Sequence, residues 1–285
     1  MVRQQDSRKV AGLSLVEVLV ALAIFSIVMA IAYGAILNGL NTHSNQEATV
    51  SAQAKLRRVI EVISQDVRSA VFGSIIDSPY TSGENEVSFL LLTGGAGFAL
   101  APYGLNTTQV DVISSTVGPP TGSQVVIVNQ QGRAVLTRVT GVSSLSGRQR
   151  LSLSCSVPVA HTTNTLLFEV TSLGISYDEG SQELSIRMGR GAEAPFAFDI
   201  SDFRVEYVYT ADGEAPRTFD GPVRTAGVPE RTFFSGTTEF TLSSLQFAIG
   251  TEATTRSGTR QHSYSAQVNL LSSQDFMLRE LTSCI

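Results

Sequence analysis

The apolar positions of the chain fall into three successive patterns. From Leu13 to Leu37 they follow one another almost without a break, and residues 18–37 hold no charge and no proline. About 20 such residues at about 1.5 Å rise each match a hydrocarbon core of about 30 Å, so this run predicts a membrane-spanning helix. Beyond it the pattern becomes amphipathic. Leu56, Val59, Ile60, Ile63, Val67, Ala70 and Val71 recur at helical spacing on one face, while Lys55, Arg57, Arg58, Glu61, Asp66 and Arg68 occupy the other sides. With Gly73 as a C-cap and Pro79 as a stop, one helix is expected from about Leu13 to about Phe72, roughly 90 Å long at about 1.5 Å per residue. A bilayer covers residues 13–37; the half at 38–73 must pack on protein outside it.

After residue 80 the period changes to short β-rich runs separated by Gly, Pro, Asn and Ser. Strands are expected at Val87–Leu92, Gln124–Asn129, Ala134–Thr140, Leu166–Thr171, Gly174–Tyr177, Leu184–Met188, Ile200–Tyr209, Leu242–Ile249 and His262–Leu270. Asp178-Glu179-Gly180 and Asp212-Gly213 supply turn signals between them. The stretches Thr93–Gly118 and Thr210–Thr238 read as long loops. The fold class is therefore α+β: a long N-terminal helix whose amphipathic half covers one face of a mostly antiparallel sheet domain at 74–285.

One carboxylate interrupts the oily run. On an insertion scale an acidic residue near mid-span costs about 2.5–3.5 kcal/mol and each Leu, Ile, Phe or Val returns about 0.3–0.6 kcal/mol, so the run still partitions into a bilayer despite Glu17. Arg3, Arg8 and Lys9 precede it, and no Lys or Arg occurs from Val10 to Ala54, which places the amino end in the cytoplasm. A secretory signal peptide is the competing reading, with Ala30-Ile31-Ala32 as its cleavage box and Tyr33 as the new amino terminus. The length of the apolar run and the presence of Glu17 weigh against it.

Gly12 followed by Leu13-Ser14-Leu15-Val16-Glu17 and then Val18-Leu19-Val20-Ala21-Leu22-Ala23-Ile24-Phe25 resembles the start of the type IV prepilins, the subunits of type IV pili and of secretion and competence pseudopili. That family typically has Gly, then Phe-Thr-Leu-Ile-Glu, then an apolar helix; here Leu13 stands for the Phe and Ser14 for the Thr. The resemblance implies a leader of residues 1–12, cleavage between Gly12 and Leu13 by a prepilin peptidase, and N-methylation of Leu13. The subunit would then leave the bacterial inner membrane, where its head is extracytoplasmic, for a filament. Partners implied are other major and minor subunits, an inner-membrane assembly platform, and the bilayer before assembly. In a filament core Glu17 would face the charged amino terminus of a neighbouring helix and set axial register. The chain's size and its late segments Ile200–Tyr207, Leu242–Phe247 and Tyr264–Leu270 look like those of the larger W-type minor pilins or J-type minor pseudopilins.

Charge and candidate chemistry add little that would redirect this reading. The chain has 20 basic and 25 acidic residues; without residues 1–12 these become 17 and 24, so a broad electrostatic nucleic-acid surface is not expected. Arg187-Met188-Gly189-Arg190-Gly191 and Arg133, Arg138, Arg148 and Arg150 read as solvated strand ends and loop tips, because no aromatic residues interleave with them. His43, His161 and His262 lack metal-ligand spacing, and Gly94-Gly95-Ala96-Gly97 lacks the remainder of a nucleotide loop. No cofactor, metal or catalytic residue is expected. Cys155 and Cys284, the two cysteines, both fall on the oxidising side, and a bridge between them would tie the tail to the sheet as pilins often do. An anchored adhesin or binding module that does not polymerise is the alternative function; a secreted hydrolase is a more distant one.

Overall fold

The computed structural model describes residues 15–93, 97–113, 118–129, 132–145, 147–157, 165–255, 258–270 and 280–283. Helix α1 runs unbroken over Leu15–Arg68. The chain divides into two compact units: Met1–Ser51 with Ala253–Arg260, and Ala52–Glu252 with Gln261–Ile285.

In the second unit, α1 ends four residues earlier than the amphipathic stripe suggests. The Ser69 amide donates to Gln65 O at 3.1 Å and to Asp66 O at 3.0 Å, and its hydroxyl donates to Gln65 O at 2.9 Å, closing the last turn. Residues 70–76 then form a strand, β1 (Ala70–Ile76), with Gly73 inside it rather than capping the helix. Ala70 and Ile75 enter the same core as the helix, whereas Val71 and Ile76 enter a different one. Neighbours that bury on opposite sides are strand behaviour, and here they happened to continue a helical spacing.

The larger sheet holds eleven strands. They are β1, β2 (Glu86–Leu92), β3 (Phe98–Ala99), β4 (Thr107–Val112), β5 (Gln124–Val128), β6 (Arg133–Leu145), β7 (Arg148–Val157), β8 (Leu166–Asp178), β9 (Glu183–Met188), β10 (Ala194–Ala197) and, near the C-terminus, β18 (Glu280–Ser283). The five-stranded sheet contains β11 (Asp202–Thr210), β12 (Arg217–Phe219), β15 (Thr232–Ser235), β16 (Thr238–Thr255) and β17 (Gly258–Asn269); β13 (Arg224–Thr225) and β14 (Val228–Pro229) form a separate hairpin. Strand β18 runs parallel to β6, with Ser283 opposite Leu136, whereas the pairings among β1 to β10, of β11 with β12 and β16, of β15 with β16 and of β13 with β14 are antiparallel. The mostly antiparallel expectation holds.

Strand β8 organises the larger sheet because it is long enough to serve two neighbourhoods. Its first half pairs with β5 and β3, and its second half with β2 and β9. What read as two strands, Leu166–Thr171 and Gly174–Tyr177, is one; Gly174 is needed there because a Cβ would come within 2.5 Å of Tyr80 and 2.7 Å of Pro79. From β8 the order β5, β6, β7, β4 continues, and Leu100 bridges back to Val112, with Ala101 donating to Asp111 O at 2.8 Å and Ile113 to Ala99 O at 2.9 Å. These contacts close a six-stranded barrel, and each wall contributes to its interior: Leu100, Val110, Ile127, Val139, Leu151 and Leu167 among others. Val126 and Val128 on the other face of β5 are buried too, which is why that strand is a continuous apolar run.

The two stretches expected to be long loops thus contain structure: β3 and β4 in one, β12 to β15 in the other. Their strands are two to six residues long and alternate weakly, so the pattern alone did not separate them from turns.

The principal core lies between α1 and the two sheets. Leu56, Ile63, Phe89, Phe203, Tyr207 and Phe247 are among its fully buried members. The two tyrosines there keep their hydroxyls satisfied: Tyr207 donates to Gly83 O at 3.3 Å, and Tyr209 donates to Glu230 O at 2.9 Å while accepting from Val223 N at 3.0 Å. Burial pushes both phenols upward, Tyr209 to about 12. At the rim, Arg224 makes a two-pronged contact with Asp77 and donates to Ser82 O at 2.6 Å, fastening the β13–β14 hairpin to the end of β1.

Candidate functional site: the uncovered apolar helix

The first unit presents the chain's most unusual surface. Residues 15–33 are all exposed, including Leu15 at 77%, Phe25 at 60% and Ile31 at 68%. Burying one such side chain is worth about 1.5–3 kcal/mol, so more than a dozen left open on one helix require lipid or other apolar helices around them. The helix is built for that environment. Ser26 Oγ donates to Leu22 O at 2.8 Å, so the one serine hydroxyl in this stretch is satisfied within the helix itself. This helix is the one candidate membrane span among the described residues.

Glu17 sits in the first turn of α1, where the helix dipole favours a negative charge. It makes no ion pair among the described residues. A carboxylate at that position can therefore accept an external cation or ammonium group. Gly12 and Leu13 lie outside the described residues.

The family described as "Prokaryotic N-terminal methylation motif" matches residues 7–33. The chain carries a prepilin-type methylation motif. The matched stretch takes in Gly12, Leu13 and Glu17, and together with the long apolar helix and the antiparallel sheet domain it is consistent with a type IV pilin or pseudopilin. The motif implies processing by a prepilin peptidase and assembly with other pilin subunits, and it points to a pilin-like protein whose one candidate anchor among the described residues is N-terminal. No curated protein and no solved structure matches the chain.

Among the described residues the remaining sequence candidates are not drawn together into a second site. Arg150 is engaged by Asp111, Nε to Oδ1 at 2.7 Å and Nη2 to Oδ2 at 3.0 Å, and this contact holds the Asp111 carboxyl below the usual carboxylate range. Arg187 Nε donates to Gly191 O at 3.2 Å within its own turn. His43 lies 4.0 Å from Glu47 on α1, His262 lies on β17, and His161 falls outside the described residues. Gly94, Gly95 and Ala96 also fall outside them. Asp178 accepts from Gly180 N at 2.9 Å and Ser181 Oγ at 2.8 Å, the turn chemistry expected of it. Among the described residues no cluster of His, Cys, Asp and Glu could hold a metal ion. Cys155 lies on β7 with its Sγ 3.2 Å from Thr137 Oγ1, and Cys284 lies outside the described residues.

Proposed function

We propose that this chain is a minor type IV pilin or pseudopilin. A prepilin peptidase cleaves between Gly12 and Leu13, Leu13 is N-methylated, and residues 13–37 hold the subunit in the bacterial inner membrane with its amino end in the cytoplasm and its head outside. An assembly platform then transfers it into a filament, where the large head fits a tip position. The observation that carries this reading is the uncovered, uncharged helix surface behind Glu17. Such a surface must exchange lipid for other helices, and Glu17 gives each incoming helix a fixed place by pairing with a neighbour's amino group.

The test is Glu17→Leu in the native host, comparing processing with recovery in sheared filaments. The variant should be cleaved and retained in the membrane, yet at least tenfold depleted from the filament fraction. Incorporation at the wild-type level would end the register role. A mass spectrum beginning at methylated Leu13 supports the processing step; one beginning at Tyr33 would establish a signal peptide instead.

The bridge between Cys155 and Cys284 belongs to the same proposal. Its support is that β18 runs beside β6 as far as Ser283 opposite Leu136, next to Thr137, whose hydroxyl contacts Cys155. Closing so long a loop contributes about 2–4 kcal/mol. Alkylation of both thiols in unreduced protein would remove the bridge; protection of both until reductant is added is the expected result.

A further inference from the structure

Strand β17 is a sheet edge that lacks the usual protection. Among the described residues it pairs with β16 alone. The other edges of the five-stranded sheet are short, three residues in β12 and four in β15, whereas β17 has twelve. Exposed edges are ordinarily blunted by lysine, proline, inward charge or a bulge. The sequence of β17 contains no Lys, Pro, Asp or Glu, and Arg260 near its start is its one Arg. Its pairing with β16 is fixed by Leu270 N donating to Ser243 O at 2.9 Å; Thr255 Oγ1 to Gly258 O and Gln261 Nε2 to Glu252 Oε1 at 3.2 Å lie at the same offset, and Gln267 Nε2 reaches diagonally to Ser244 Oγ at 2.8 Å. Because Leu270 is hydrogen-bonded to β16, alternation turns the amides and carbonyls of Gln261, Ser263, Ser265, Gln267 and Asn269 toward the open edge. Their side chains are all exposed and uncharged.

Beside this edge is a cleft of about 620 Å³ walled by α1 residues Arg57, Glu61, Gln65 and Arg68 and by Tyr264 and Ala266 of β17. Neither Arg57 nor Arg68 has an ion-pair partner among the described residues. An open strand edge next to a helix, with space between, is the arrangement that accepts an added strand: the backbone edge supplies affinity and the wall supplies selectivity. The wall carries one more positive than negative charge.

We propose that the β17 edge receives an extended, carboxylate-bearing segment of a different neighbouring subunit, which adds as a strand between β17 and α1 and sets its Asp or Glu against Arg57 or Arg68. A second copy pairing through its own β17 would bring no carboxylate to these arginines, since that strand has none. This inference rests on the filament-subunit reading.

The test places the photo-crosslinker p-benzoylphenylalanine at Ser263 of the full chain in filament-producing cells, alone and with Ser265→Pro or Ser265→Ala. Proline at position 265 deletes an open-edge donor without removing a bond to β16, a placement edge strands tolerate. The expected result is a cross-link to another prepilin-motif chain, mapped to an extended segment containing Asp or Glu. Ser265→Pro should weaken it at least tenfold while Leu13 processing and head melting stay unchanged. Ser265→Ala should leave it intact, and Arg57→Glu with Arg68→Glu should weaken it severalfold. A cross-link to residues 271–279 of the same chain, to a second copy, or to nothing in filaments that contain the subunit would overturn the proposal. So would full cross-linking with Ser265→Pro. If Ser265→Pro lowers head melting, the mapped cross-link of the unsubstituted chain decides alone. A processed wild-type chain that never enters filaments would instead defeat the filament reading itself, and this inference with it.

Discussion

Two stretches of the same helix meet opposite fates. Across residues 15–33 every side chain is exposed although nearly all are apolar, whereas from Leu56 to Val67 a single stripe of Leu56, Val59, Ile60, Ile63 and Val67 is buried against the chain's own sheets. The difference is one of angular distribution. An apolar residue at every position cannot be covered by one sheet face, so that half needs surroundings on all sides; a stripe can be covered once, and the head supplies the cover. Stability is thus carried on the later turns of the element and the proposed assembly on the earlier ones, and a substitution should reveal which turn it occupies.

The largest effect should come from truncating matched isoleucines in the two halves. Ile63 is 1% exposed and Ile27 is 62% exposed. Ile63→Ala removes buried methyl groups and leaves a cavity, which costs about 2–5 kcal/mol, so thermal unfolding of the head in detergent should shift down by many degrees. Ile27→Ala should shift it by less than about 0.5 kcal/mol. Equal shifts would break the comparison, because they would show the first half to be part of the folded head.

The sequence disclosed this division well and the head's interior poorly, for a physical reason. Glu17 and the uncharged run behind it are local signals, legible because membrane insertion acts on contiguous residues. The stripe through Leu56 and Ile63 is equally local. The barrel is not. It exists because Leu100 reaches Val112 and because β8 pairs in two directions, relations between residues far apart that leave no mark on local periodicity. The Asp77–Arg224 contact is of the same kind, joining residues 147 positions apart. Ala70 and Val71 show the reverse hazard: they satisfied a helical spacing by coincidence while belonging to a strand.

The smallest effect concerns the carboxylates of the two halves. Asp66 is half-buried on the covered half, and burial raises its pKa above the ordinary 3.8. A carboxyl raised on folding binds its proton more tightly in the native state, so its contribution to stability is fully present below the unfolded value. That contribution is lost as pH rises through the higher folded value. At neutral pH the charge is therefore a mild burden on the head, kept small by solvent screening. Asp66→Asn should raise head stability at pH 7 by less than about 0.5 kcal/mol, with the gain over wild type fading as pH falls below the ordinary carboxylate value. Glu17→Gln, on the uncovered half, should leave head melting unchanged across the same range. Destabilisation by Asp66→Asn at pH 7 would mean that the Asp66 charge supports the fold, reversing the contrast between a carboxylate the head tolerates and one proposed to serve assembly.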